Sequence, residues 1–196
     1  MDELDDQSVD LVVTSPPYLN NFDFAEMTRM YIYFWGLASS WREITERIRR
    51  RLIVNTTTAL TGQKDRQEAY RDTLPRHVRH HADICVRALA DQRKVKAGRK
   101  EYYLLVYPYL SQMQDVLKET LRVMKPGGVF HMMIADAALY GVHLPTPHWL
   151  ADIMTACGFA NVQCEMIRAR GHRWILTKRD GSAKGLGEYY ISARAE

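Results

Sequence analysis

Two nearly continuous apolar runs, SVDLVV at Ser8 to Val13 and GGVFHMMIAD at Gly127 to Asp136, constrain this chain more than any other feature. Neither shows the sustained polar alternation of a half-solvated strand, so both sides of each run call for burial, the pattern of a parallel sheet covered on both faces. Parallel neighbours require a crossover. Ahead of the second run, YLSQMQDVLKETLRVMK places Leu110, Met113, Val116, Leu117, Leu121 and Met124 at helical spacing, with Ser111 and Gln114 predicted as a capping box. Pro126, Gly127 and Gly128 mark the entry to the strand.

After the second run, TPHWLADIMTACGF predicts a helix with Thr146 as N-cap, Pro147 at the first helical position and Gly158 just past the end. Leu150, Ile153, Met154 and Cys157 share its apolar face. Three shorter strands follow: NVQCEMIR (Asn161 to Arg168), HRWILT (His172 to Thr177) and EYYISA (Glu188 to Ala193), the last two joined through KRDGSAKGLG as an exposed hairpin loop. Strand, helix, strand, helix and a strand group make an α/β pattern with right-handed crossovers. The basic stretch at about residues 25–100 is too long for a simple crossover, and it predicts an inserted helical segment at about 37–100 within a single domain spanning 1–196.

With 46% hydrophobic and 26% charged residues the composition is that of a soluble globular protein. MYIYFWGLA, among the longest apolar stretches, is about half a membrane span, no secretory signal opens the chain, and a cytoplasmic location is expected. Three cysteines without a C-x-x-C pair suit a reducing compartment and read as small buried apolar residues. The net charge of +4 conceals an asymmetry: residues 1–40 hold one Arg against seven acids, whereas residues 41–100 hold sixteen Lys and Arg against seven. Arg47, Arg49, Arg50 and Arg51, with Arg76, Arg79, Arg93, Lys94, Lys96, Arg99 and Lys100 further on, are candidate phosphate contacts; the alternative is a solvated helical face. His80, His81, His143 and His148 lack partners at metal-ligand spacing, so no metal is expected. Tyr102, Tyr103, Tyr107 and Tyr109 read as core, and Phe34, Trp35 and Trp41 as packing for the insert.

The first run stops at TSPPY, Thr14 to Tyr18. Ligands of open α/β sheets bind beyond the carboxyl ends of the strands, which is where this motif falls. Pro16 and Pro17 have fixed φ and no N–H, and Ser15 is driven to an extended conformation. The Ser15 hydroxyl and the Pro16 carbonyl are then two acceptors able to converge on one point, with Tyr18 as a flat face beside it. Two acceptors and a stacking face suit an amino group on a conjugated ring. Hydrogen bonds from that amine favour a pyramidal nitrogen and release a lone pair otherwise delocalised into the ring. The plainer alternative is a strand terminator.

TSPPY with its upstream SVDLVV resembles the motif of the S-adenosylmethionine-dependent amino-methyltransferases that act on N4 of cytosine or N6 of adenine in DNA. LKETLRVMKPGG is similar to their helix and turn before the fifth strand, and ACGF and EYYISAR to their later helix and final hairpin. The resemblance covers most of the chain except the basic insert. It implies a partial Rossmann-like class I methyltransferase sheet, from the fourth strand onward, with a basic helical insertion. Ser15 and Pro16 would hold the target amine, Pro17 would stiffen the loop and Tyr18 would stack on a flipped base. Asp23 would order the loop or contact substrate; Thr14, Ser15 and Asp136 would face S-adenosylmethionine; Arg47, Arg49, Arg50 and Arg51 would grip DNA. Transfer would be a direct displacement from the sulfonium, with N4-cytosine favoured over N6-adenine.

The family's glycine-rich D-P-F-x-G-x-G turn has no counterpart: the nearest approach, Gly185-Leu186-Gly187, precedes a strand. The resemblance therefore implies the amine-binding half, partnered by a complementary cofactor-binding half or by self-association. The alternatives are a non-catalytic nucleic-acid-binding or assembly subunit, and an RNA-base or protein-glutamine methyltransferase. Serine rather than Asn or Asp before the prolines counts against the last.

Overall fold

A computed structural model describes residues 3–20, 23–56, 64–95, 100–169, 176–177, 183–184 and 186–196. The elements run β1 (Val9–Thr14), α1 (Phe24–Met27), α2 (Arg29–Phe34), α3 (Trp41–Arg47), α4 (Gln67–Thr73), α5 (Arg76–Val95), α6 (Val106–Val123), β2 (Met124–Ala135), β3 (Ala137–Leu139), β4 (Val142–Leu144), α7 (Thr146–Cys157), β5 (Phe159–Ala169), β6 (Leu176–Thr177), β7 (Ala183–Lys184) and β8 (Gly187–Ala195). The architecture is mixed α/β with a partly parallel sheet of order β1, β2, β8, β5. β1 runs parallel to β2, and β8 is antiparallel to both β2 and β5.

Between Val9↔Met124 and Leu11↔Val129 the register slips, and Pro126, Gly127 and Gly128 fill the extra length on β2. Gly127 sits at φ +79°, and a Cβ on Gly128 would meet the Lys125 carbonyl oxygen at 2.8 Å and that of Asp10 at 3.2 Å. Both glycines are therefore dictated by backbone geometry.

Phe130, Met132 and Ile134 are buried on one side of β2 in a cluster with Leu110, Met113 and Leu117 of α6 and Trp149, Leu150 and Ile153 of α7. The opposite side differs from the expectation of a doubly covered sheet. Leu11 and Val13, in register with Val129 and His131, are 55% and 73% exposed, and Met133 is 40% exposed. Among the described residues the helices of the central cluster cover one face, and β1 is an edge strand.

Helix boundaries differ instructively from the sequence pattern. α6 starts at Val106 and runs through Pro108, which the first turn tolerates because its missing N–H would be unpaired there anyway. Ser111 and Gln114 are consequently interior residues and no capping box forms: the Gln114 amide donates to the Thr73 carbonyl at 3.0 Å, and the Thr73 hydroxyl donates to Ser111 at 3.1 Å. α7 begins at Thr146 and closes at Gly158, whose φ of +105° is the left-handed cap. β8 takes β5 as its hairpin partner, pairing Arg168↔Glu188 and Cys164↔Ile191. Of HRWILT, the described part pairs with Ala183–Lys184 instead, so the expected hairpin between HRWILT and EYYISA is corrected.

The helical stretch has two characters. Ala25, Ile32, Ala38 and Ile44 form a small separate core with Tyr33, Trp41, Ile48 and Leu52. Tyr70 of α4 and Val78, Ala82, Cys85 and Leu89 of α5 belong to the central cluster. Phe34 and Trp35 do not pack as expected; they meet edge to face at 5.3 Å but are 79% and 71% exposed. Tyr107 and Tyr109 are buried, as their apolar context predicts.

Candidate active site at the end of β1

β1 delivers the chain to Ser15, Pro16, Pro17 and Tyr18 at the carboxyl end of the parallel pair, where Thr14 registers with Met132. The Tyr109 hydroxyl, at the buried start of α6, donates to the Pro17 carbonyl at 2.7 Å. Burial, and secondarily the neighbouring Tyr18 phenol, raises the Tyr109 pKa far above the ordinary tyrosine value, so Tyr109 stays a proton donor. Leu19 is fully buried and pins the far side of the loop.

This anchoring leaves a definite set of groups at the surface. The Pro17 carbonyl is engaged, whereas the exposed Ser15 hydroxyl and the Pro16 carbonyl make no hydrogen bond among the described residues. Tyr18 is half-buried and packs its ring against the central cluster, which fixes its plane. Beneath the loop, Thr14 and Pro16 line an apolar recess of about 110 Å³ with Val12, Met113, Val116, Leu117, Thr120, Phe130 and Met132.

Asp23 is 1% exposed and faces inward. One carboxylate oxygen accepts from the Ala25 N–H at 3.0 Å, capping α1, and the other is paired with Arg49. Arg49 lies over the Trp41 ring at 4.5 Å and within 3.8 Å of Glu26. The pair ties the start of α1 to the turn that follows α3. Arg47 pairs with Glu43 at 3.7 Å, and Arg50 and Arg51 are exposed.

Asp136, just past β2, is 1% exposed. Its Oδ2 accepts from the Gly187 N–H at 3.4 Å and lies 3.2 Å from His143 Nε2, while Oδ1 is buried with no hydrogen-bond partner among the described residues. The Tyr189 pKa is raised by burial and then by this carboxylate. A Cβ on Gly187 would meet Met166 Sδ at 2.9 Å and Tyr189 Cε2 at 2.7 Å, so the residue begins β8 in a close-packed position. Gly185 lies outside the described residues.

These observations bear on S-adenosylmethionine. Asp136 Oδ1 is one orphaned acceptor and Thr14 borders an apolar recess, but Gly187, from the nearest glycine-rich stretch, is engaged with Asp136. Among the described residues these groups do not make a complete pocket for that cofactor.

Sequence reasoning missed the Tyr109 bond to Pro17 and the contact of His143 with Asp136. Residues 92 apart carry no local signal of contact, although a tyrosine entering a buried helix is an amphipathic group in need of an acceptor.

Fold and site together define a mixed α/β protein with hydrogen-bond acceptors presented at the end of a parallel edge strand. No family profile and no curated protein matches the chain. A candidate DNA modification methylase from Thermus thermophilus superposes with a TM-score of 0.35 at 24% identity, covering 44% of this chain and 36% of that one. The chain thus spans little more than a third of that protein's length, and a likeness this partial carries no argument about fold or chemistry.

Proposed function

We propose that this chain is the acceptor-binding part of a DNA amino-methyltransferase, holding an exocyclic amine of a flipped base for methylation. The observation that carries the reading is the division of labour between adjacent carbonyls: Tyr109 takes that of Pro17, while that of Pro16 and the Ser15 hydroxyl remain available beside Tyr18. An amine donating both N–H groups to these oxygens gains most as its nitrogen pyramidalises, so the interaction favours the transition state over the ground state. The ring of Tyr18 supplies a stacking face worth about 1–3 kcal/mol per base. N4 of cytosine is the favoured target over N6 of adenine.

The methyl donor in this reading is S-adenosylmethionine, which supplies an electrophilic methyl group when bound. Its binding falls mainly to a complementary half. The open edge of β1, apolar on both sides, supports such a partner, because native edge strands are ordinarily shielded by charge, proline or a covering element. The same edge favours one second reading, an assembly subunit that covers β1 without catalysis.

Methyl transfer to duplex DNA, measured with radiolabelled S-adenosylmethionine for the chain alone and with a protein encoded beside it, tests the proposal. Ser15→Ala should lower the rate about 100-fold, the usual effect of removing a group aimed at the transition state, and Tyr18→Ala about 10- to 100-fold through the lost stacking face. Transfer at full rate in both variants contradicts the assignment of the site.

A further inference from the structure

Away from the motif, Arg71, Arg76, Arg79, His80 and Asp83 line a polar recess of about 270 Å³ between α4 and the first turns of α5. Arg76, Arg79, His80 and Asp83 fall at i, i+3, i+4 and i+7, one face of the helix, and Arg71 reaches in from α4. We infer that this recess binds a phosphate group of the nucleic-acid backbone. The inference rests on the proposed function for the identity of the polymer, but not for the phosphate chemistry.

The charge balance favours an anion. Asp83, the acid lining the recess, is fully engaged: Arg71 donates to its two oxygens at 2.8 and 2.7 Å, and the Tyr107 hydroxyl donates to it at 2.7 Å. These bonds hold its carboxyl below the usual carboxylate range. Arg79 reaches Asp72 at 3.1 Å, but the Asp72 side chain is 55% exposed and can be displaced by a stronger ligand. Arg76 is exposed and makes no ion pair among the described residues. The first turn of α5 contains no acidic residue of its own, and the positive end of this 20-residue helix adds to the two arginines, with Asp152 of α7 3.4 Å from His77 as the neighbouring acid on its other side. A tetrahedral phosphate suits this arrangement because planar guanidinium groups approaching from different directions can each satisfy separate oxygens.

The inorganic ion and the DNA backbone share this chemistry, and two measurements separate them. Arginine side-chain NMR of the full chain is followed during titration with inorganic phosphate, and binding to a fluorescent duplex oligonucleotide is measured across a salt series. Phosphate should shift the Arg76 and Arg79 signals. Arg76→Gln with Arg79→Gln should weaken DNA binding about tenfold or more and reduce the log–log salt slope by about 2. Asp72→Asn, which frees Arg79, should strengthen DNA binding severalfold, a gain that a damaged fold does not produce. Phosphate shifts with unchanged DNA binding overturn the backbone assignment and leave a site for a small phosphate. Absence of both effects overturns the inference. Methyl transfer that persists when this recess is neutralised leaves the proposed function standing, whereas DNA binding through it without methyl transfer in any combination counts against that function alone.

Discussion

Val12 and Thr14 turn toward α6 and share a recess with Met113, Leu117 and Phe130, whereas Leu11 and Val13, one residue out of step on the same strand, are exposed. The two sides of β1 thus have similar apolar character and opposite surroundings. Asp10, the charged residue on β1, is paired with Lys125 at 2.8 Å rather than standing free to guard the edge. A strand composed for burial on both sides and covered on one is what the proposed complementary half would complete.

The largest expected effect that sharpens this contrast is on the covered side. Phe130→Ala should destabilise the chain by about 3–5 kcal/mol in urea denaturation, while Leu11→Ala on the open side should cost less than about 0.5 kcal/mol. A Leu11→Ala cost near that of Phe130→Ala, growing with protein concentration, would mean that copies of the chain already cover that face.

Next in size is the ion pair between the start of α1 and the turn after α3. Asp23→Ala should cost about 3 kcal/mol by leaving the Arg49 guanidinium without its buried partner. Recovery of most of that loss in Asp23→Ala with Arg49→Met, by the same denaturation measurement, would identify the stranded charge as the cause. Tyr109→Phe should cost about 1 kcal/mol through the lost bond to the Pro17 carbonyl, and hydrogen exchange at Tyr18 and Leu19 should accelerate. Smallest of all, Ser15→Ala should change stability by less than about 0.5 kcal/mol, since its exposed hydroxyl bonds nothing among the described residues.

Local rules explain what was legible in the sequence. The glycines at 127 and 128 and the left-handed end of α7 follow from patterns confined to a few residues. The capping box expected at Ser111 and Gln114 does not form because α6 begins at Val106 and its first turn accepts Pro108. The hairpin partner of β8 was illegible because a strand pattern specifies a face and not a neighbour. At the candidate site the two prolines announced a stiff strand end, but the engagement of Asp23 with Arg49 and of Pro17 with Tyr109 depends on residues 26 and 92 positions away. A run of arginines likewise looks uniform in sequence. Structure separates Arg49, enclosed by Asp23 and Trp41, from Arg76, which remains open to a ligand.

If Ser15 and Pro16 accept both hydrogens of a base amine, the amine itself reports it. An oligonucleotide carrying a mismatched cytosine with a ¹⁵N-labelled amino group is titrated with the chain, and both amino proton signals are followed by NMR. Both protons should move downfield on binding, and Ser15→Ala should remove the shift of one. Amino signals that stay in place on DNA saturated with protein would contradict that assignment.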